Sequence, residues 1–112
     1  MSDQTIDLGD GHRLTFHRWA PDRALNPQYD DLPDVERYGA SIEHRHHVTG
    51  VQHTGGITFD GPVQRALAAR PETGLNQARW QVESWDPLTL SPSVLCDCGD
   101  HGYVRGGRWI AV

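Results

Sequence analysis

The residues best suited to bind a metal lie near the C-terminus, where residues 96–101 read Cys-Asp-Cys-Gly-Asp-His. Two residues separate Cys98 from His101, the spacing of a zinc knuckle, and Gly99 permits the tight turn that points both donors inward. Thiolate and imidazole are the borderline-soft donors that Zn²⁺ takes in a tetrahedral shell. The spacing predicts a zinc site with Cys98 and His101 as ligands. Cys96 is either a third ligand or a bystander.

The remaining ligands must come from another part of the chain. Histidines are concentrated in residues 43–47, which read Glu-His-Arg-His-His, and recur at His53. Because side chains alternate along a strand, His44 and His46 share one face and His47 points to the other. His44 and His53 are the candidate ligands, and a metal held by both regions would close a long loop. The alternative is that the cysteines are small buried apolar residues and the histidines lie on the surface.

The first half of the chain predicts strands interrupted by a long loop. Residues 6–17 form a hairpin whose three-residue loop, residues 9–11, keeps Ile6 opposite Leu14. Residues 19–39 are rich in Pro and Asp and predict an irregular loop, with one helical turn at 33–38. Residues 40–44 and 56–59 predict two strands joined by the histidine-rich loop.

The second half predicts one helix and further strands. Pro62 suits the first position of a helix over residues 61–70, which ends before Pro71. Strands follow at 79–83 and 88–94, and residues 103–105 and 108–112 form a hairpin over 106–107. That hairpin pairs Val104 with Trp109. The expected fold is α+β, a single zinc-stapled domain spanning residues 1–112, with mostly antiparallel strands and one short helix.

Composition and charge narrow the class of protein. The hydrophobic share of 37% implies a thin core, to which a bound metal would add stability. The net charge of −5 argues against nucleic-acid binding, which needs clustered basic residues. We find no secretory leader and no apolar run that could span a membrane. Since a Cys-x-Cys disulfide closes a strained ring, we expect reduced thiols and a cytoplasmic protein.

Three short signatures in the last third of the chain resemble a known family. Residues 87–93 read Pro-Leu-Thr-Leu-Ser-Pro-Ser, residues 98–102 read Cys-Gly-Asp-His-Gly, and residues 107–109 read Gly-Arg-Trp. This pattern is similar to that of small uncharacterised proteins encoded mostly by actinobacterial phages and prophages. The resemblance implies a zinc-bearing fold and a place in the cytoplasm of an infected host cell, without implying an activity.

The chain departs from that family at two positions. Related members tend to carry Cys-x-x-Cys-x-x-His and a further cysteine near the position of His53. Here the first motif is Cys-x-Cys, which leaves the role of Cys96 open. The second position is a histidine, which makes His53 a candidate for a substituted ligand.

Several other residues suit recognition of a partner. Trp85 is out of phase with Trp80 and Val82 in its strand, so we expect it to be exposed. Trp19 begins the long loop and is a second aromatic candidate. Arg105 and Arg108 flank a glycine turn, where two guanidinium groups could hold a phosphate or carboxylate, although turn flanks are commonly charged for solubility alone.

Three functions are consistent with these residues. The first is a non-catalytic module of a phage that binds a host protein or a small ligand, in host takeover or counter-defence. The second is a small metal-dependent hydrolase, in which Asp97, Asp100 or Glu43 would act beside a metal-bound water. The third is a sponge for a nucleotide signal. Since the chain contains no His-Glu-x-x-His motif or other catalytic signature, it favours the first.

Overall fold

The computed structural model describes residues 4–70 and 78–112 of the 112-residue chain. Those residues form one α-helix, α1 (Pro62–Ala68), and a single 3₁₀ turn at Pro27–Tyr29. The strands are β1 (Thr5–Gly9), β2 (His12–Trp19), β3 (Val35–Arg45), β4 (Gln52–Phe59), β5 (Arg79–Trp85), β6 (Leu88–Ser91), β7 (Val94–Leu95), β8 (His101–Arg105) and β9 (Arg108–Ala111). The described part of the chain is therefore strand-rich with one short helix, as the sequence predicts.

The strands form two sheets. β1 to β6 make a six-stranded sheet in chain order, and β7, β8 and β9 make a three-stranded sheet. All pairs are antiparallel except β4 with β5, whose connection contains α1. β9 contacts β1, and β8 contacts β6, so the small sheet lies across the large one between its two outer strands.

The core lies between the two sheets, where alternate residues of each strand face inward. Leu14 and Phe16 of β2 and Ile42 of β3 are buried on the inner face of the large sheet. Val104 of β8 and Trp109 of β9 belong to the same apolar cluster and close it from the small sheet. This alternation explains why a chain with few apolar residues still encloses a continuous core.

The two predicted hairpins have the expected registers. Ile6 pairs with Leu14, although the loop itself has two residues, Asp10 and Gly11, and a β-bulge before Gly9 restores the register. Asp10 and Gly11 both have positive φ, as a tight hairpin turn requires. At the other end of the chain, Val104 pairs with Trp109.

The predicted helical turn at residues 33–38 is wrong, because β3 already begins at Val35. Val35 pairs with Trp19, so strand pairing satisfies the backbone groups of this segment and overrides the local helix-start signal of Pro33. The irregular loop is correspondingly shorter than expected and spans residues 20–34. Likewise, β4 begins at Gln52 rather than 56, which places His53 within a strand.

Arginine and aromatic contacts order the acidic loop of residues 20–34. Arg23 donates to Asp34 Oδ1 at 2.7 Å and to the Leu32 carbonyl oxygen at 2.6 Å. Arg70, at the end of the helical region, donates to Asp31 Oδ2 at 2.7 Å. The ring of Trp19 packs edge-on against Tyr29, with ring centroids 5.6 Å apart. This loop is therefore ordered by charge pairing and aromatic contacts.

The helix α1 matches the predicted helix closely and packs through a narrow face. Gly61 is its N-cap residue, and Val63 and Leu67 are buried. Gln64, also buried, donates its side-chain N–H to the Tyr38 carbonyl oxygen at 3.1 Å, a contact the sequence does not predict. Within the described ranges, no helix is long and apolar enough to cross a membrane.

Candidate metal centre

Two histidines face each other where β3 ends and β4 begins. His44 of β3 and His53 of β4 are directly paired across the antiparallel ladder, with ring centroids 5.4 Å apart. Directly opposed side chains in such a pair lie on the same face of the sheet. The β3–β4 hairpin therefore presents two imidazoles together, His44 buried and His53 half-buried.

The two cysteines are presented by a tight turn between β7 and β8. The Cys96 amide donates to the Asp100 carbonyl oxygen at 2.8 Å, and the Gly99 amide donates to the Cys96 carbonyl oxygen at 2.9 Å. Gly99 has a φ of +98°, which a residue with a side chain rarely adopts. The turn therefore fixes the Cys-x-Cys segment and directs both thiols toward the hairpin.

His44, His53, Cys96 and Cys98 form one compact group of donors. One ligand atom from each lies within 4.8 Å of the others, and His44 Nε2 is 3.4 Å from Cys98 Sγ. Gly55 leaves room for Cys96, since a Cβ at Gly55 would lie 3.2 Å from Cys96 Sγ, closer than an ordinary van der Waals contact. Two thiols and two imidazoles from two separate segments could together hold a metal ion.

The environment makes one of the two thiols unusually acidic. Burial opposes ionisation of Cys98, but hydrogen bonds with His44, with the His47 and Asp100 backbone and with Cys96 outweigh it and lower its pKa to about 6. Burial, together with the neighbouring Cys98, raises the pKa of Cys96 to about 11. The pair therefore loses its first proton near neutral pH, and it is the thiolate that ligates metals.

His53 contacts a carboxylate as well as the donor group. His53 Nε2 lies 3.2 Å from Asp97 Oδ1, and this contact helps to hold the pKa of the Asp97 carboxyl below its ordinary value, after the larger effect of the Cys96 thiol. The Asp97 side chain is 88% exposed. We therefore regard Asp97 as a solvent-exposed neighbour of the donor group.

His101, a ligand in the sequence prediction, lies outside the donor group. It is the first residue of β8, whose buried residues are Gly102 and Val104, so the strand alternation directs its side chain to the other face. Its Nε2 lies 2.8 Å from Ser93 Oγ. Of the residues in the zinc-knuckle motif, Cys98 therefore lies in this group of donors and His101 does not, while Cys96 also belongs to the group.

The sequence reasoning missed His12, which lies beside the donor group. Its Nδ1 is 2.7 Å from the Asp10 carbonyl oxygen and must donate there, because a carbonyl only accepts. Its Nε2 is 2.5 Å from Asp100 Oδ2, so the carboxylate holds the opposite edge of the ring. His12 shares inward parity with Leu14 and Phe16 in β2, and that pattern was the available signal.

His12, His44 and Asp100 form a second, overlapping group of possible ligands. His44 Nε2 lies 3.7 Å from Asp100 Oδ2 and 3.4 Å from Cys98 Sγ, so the same nitrogen faces both groups. One nitrogen can ligate only one ion. Since Asp100 already contacts His12 closely, the group with two cysteines is the more complete set of free donors.

The predicted recognition residues are separate from the donor group. Trp85 is 43% exposed, as expected, but it also packs edge-on against Phe59 with ring centroids 5.5 Å apart. Arg105 and Arg108 are exposed and directly paired across the β8–β9 hairpin. Trp19 is half-buried by the acidic loop. The structure therefore does not gather these four residues around the candidate metal centre.

The comparisons with known proteins add no relative. A scan against protein-family models, a search of the curated proteins and a search of the solved structures each find nothing that matches this chain. The resemblance to actinobacterial phage proteins therefore stays a prediction from the sequence.

Proposed function

We propose that this chain binds one zinc ion through His44, His53, Cys96 and Cys98, and that the zinc-stapled fold is a non-catalytic binding module. The observation that carries the proposal is the compact set of two thiols and two imidazoles. Two cysteines and two histidines are a common ligand set of structural zinc sites. Zinc would there supply a cross-link between the β3–β4 hairpin and the turn before β8.

The fit of this donor set to zinc is supported by distance and by acidity. Zinc–nitrogen distances of about 2.0–2.1 Å and zinc–sulfur distances of about 2.3 Å place tetrahedral N and S ligands about 3.6 Å apart. His44 Nε2 and Cys98 Sγ, at 3.4 Å, are close to that separation. The lowered pKa of Cys98 makes a thiolate ligand accessible at neutral pH.

The number of donors favours a structural role over a hydrolase. Catalytic zinc sites keep a coordination position open for water, whereas four protein ligands fill the shell. One observation favours the hydrolase: Asp100, a carboxylate, lies 3.7 Å from His44 Nε2. However, the same Asp100 oxygen is already in contact with His12 Nε2 at 2.5 Å, which weakens it as a base for water.

A histidine substitution separates a four-ligand site from a three-ligand site. We expect His53→Ala to lower zinc affinity more than tenfold, measured by competition with a chromophoric chelator, because a structural site would lose a ligand. His47→Ala is the matched control, since His47 is exposed and contacts Cys98 only through its backbone. Unchanged affinity in His53→Ala would instead indicate three ligands and an open position.

The biological setting of the module follows from the sequence resemblance. A phage accessory protein that binds a host protein or a small ligand would act in the cytoplasm of the infected cell, with no need for nucleic-acid binding. The net charge of −5 supports that exclusion. Arg105 and Arg108, exposed on one hairpin, would be the residues through which a nucleotide signal binds if the module is a sponge.

A further inference from the structure

A small pocket lies beside the candidate metal centre, between the two sheets. Its cavity has a volume of about 40 Å³, and its wall includes His44, Cys96 and Asp100. The rest of the wall is largely apolar and comes from both sheets, including Ile42, Ile57, Trp80, Val94, Leu95 and Trp109. A cavity of this size holds only a few heavy atoms, and its few polar groups would orient a group that enters it.

One wall residue presents a buried donor that lacks an acceptor. Trp109 is only 7% exposed, and its indole Nε1 has no hydrogen-bond partner in the described part of the chain. An indole nitrogen can only donate, and an unsatisfied buried donor costs about 1–3 kcal/mol. The Trp109 N–H would therefore be stabilised by a hydrogen bond to an acceptor atom that the described residues do not supply.

The ring of Trp109 is held in place, so its nitrogen cannot readily turn toward another partner. The ring stacks on His12 with centroids 4.1 Å apart and planes within 11°. The ring also packs against Gly102. A Cβ at Gly102 would lie 2.4 Å from Trp109 Cε2, so the indole fills the space that the missing side chain leaves open. The orientation of the donor is therefore a fixed feature of the core.

A second residue of the pocket wall, His44, also has a buried nitrogen without a partner in the described part of the chain. His44 is 3% exposed and its Nδ1 has no partner in the described ranges, while its Nε2 faces Cys98 Sγ at 3.4 Å. A histidine that ligates a metal through one nitrogen carries a proton on the other and usually donates it to an acceptor. Two residues of one pocket wall thus each carry a buried nitrogen without a partner, and an oxygen-bearing ligand could accept hydrogen bonds from them.

The charges around the pocket favour a neutral ligand. Asp100 is in the wall and is matched by His12, whose Nε2 lies 2.5 Å from its carboxylate. An additional anion would lie next to this carboxylate and the cysteine sulfurs, in surroundings where like charges repel strongly. A cation would find no free acceptor on Trp109 or on a metal-bound His44.

We propose that this pocket binds the acyl group of a small neutral carbonyl compound, an amide or a ketone. The carbonyl oxygen accepts a hydrogen bond from Trp109 Nε1–H, and the alkyl end packs against Ile57 and Val94. A water molecule needs roughly 10–15 Å³ by the same measure, so the cavity has room for about three water-sized atoms. An acetyl group has three non-hydrogen atoms and is therefore of the right size. The inference rests on the proposed binding function and names its ligand class.

The test uses N-methylacetamide as the probe and the Trp109 indole as the reporter. We expect titration of ¹⁵N-labelled, zinc-loaded full-length protein to move the Trp109 indole N–H signal downfield in a saturable way. A dissociation constant of about 1 mM is the scale expected for so small a ligand. The signals of Trp19 and Trp85 should not move, and acetate, similar in shape but charged, should bind at least tenfold more weakly.

A substitution tests the hydrogen bond itself. Trp109→Phe keeps an aromatic ring and removes the donor, so we expect affinity for N-methylacetamide to fall about fivefold or more. Trp85→Phe is the matched control, since Trp85 is not part of the pocket wall, and its affinity should stay unchanged. If Trp109→Phe does not fold, the wild-type titration alone decides the question, with the indole signal assigned from its contacts to His12.

Three results would overturn the proposal: no saturable shift, equal binding of acetate, or a bound water on the indole N–H that the amide does not displace. Zinc content is measured in the same sample, so the two proposals fail separately. If zinc-loaded protein does not bind N-methylacetamide, only the proposed ligand class is refuted. Protein that binds the amide but contains no zinc refutes the zinc site and supports the pocket.

Discussion

The two cysteines of the candidate metal centre differ in environment, although one residue separates them. Cys98 is buried and makes the hydrogen bonds that lower its pKa to about 6. Cys96 is half-buried, and its pKa is raised to about 11. A dication bound between them would remove both protons, because metals ligate thiolates. Both cysteines are therefore required for the proposed site.

We expect Cys96→Ser and Cys98→Ser each to lower the free energy of unfolding by more than about 3 kcal/mol in the presence of zinc. Urea denaturation with the metal content recorded checks this. His101→Ala is the informative comparison, since His101 contacts Ser93 and not the donor group. It should keep its zinc and lose only about 1 kcal/mol. A loss of zinc in His101→Ala would show instead that His101 is a zinc ligand.

The thiol pKa values predict how the stability of metal-free protein depends on pH. The pKa of Cys98 falls from its ordinary value of 9.0 to about 6, so folding releases a proton between those values and stability rises with pH there. The pKa of Cys96 rises to about 11, so above pH 9 the unfolded chain loses a proton that the folded chain keeps, and stability falls.

Thermal unfolding of metal-free wild type and Cys98→Ser across pH 6–10 measures this dependence. The difference between the two proteins isolates the part of the pH dependence that requires the Cys98 thiol. We expect the wild-type advantage to grow between about pH 6 and 9. A difference that does not change with pH would mean that Cys98 ionises as an ordinary thiol.

Residue types and spacing predict part of the site, and tertiary packing determines the rest. Cys98 is identified by its motif, and His44 and His53 by their concentration in one region. The placement of His101 depends on where β8 begins, since the first strand residue takes a parity that a spacing rule does not contain. The inward parity of His12 in β2 predicts its burial, but its contact with Asp100 depends on packing between distant segments, which a local pattern does not contain.

At the level of elements, inward parity predicts the strand registers, whereas the helix-start signal is right at Pro62 and wrong at Pro33. The hairpin registers of Ile6 with Leu14 and of Val104 with Trp109 follow from apolar alternation. The segment 33–38 carries a helix-start proline but forms the beginning of β3, because pairing with β2 is worth more than the local preference. Pairing partners are not visible in a short window of sequence.

The close approach of β3 and β4 at Gly39 gives a test of the sheet. A Cβ at Gly39 would lie 2.4 Å from the Ile57 carbonyl oxygen, so Gly39→Ala must shift backbone. We expect a loss of about 2 kcal/mol or more in urea denaturation. Gly56→Ala is the control, because a Cβ there meets no atom within 4 Å, and it should change stability by less than about 1 kcal/mol. Equal effects would contradict the register of these strands.

At the scale of the whole molecule, the donor group joins the large sheet to the turn between β7 and β8 of the small one. His44 and His53 belong to the β3–β4 hairpin, and the cysteines lie more than forty residues further along the chain. A cross-link between such distant segments restricts the unfolded chain strongly. Because the hydrophobic share is only 37%, the core is thin, and a metal cross-link would add stability that the core does not supply.

X-ray absorption at the zinc edge, on full-length protein purified without added zinc, tests the central claim most directly. We predict about one zinc per chain, with two sulfur ligands and the outer-ring scattering of two imidazoles, since His44, His53, Cys96 and Cys98 are the available donors. Metal well below one equivalent, or a shell with fewer than two sulfurs, would contradict the zinc site on which the proposed function rests.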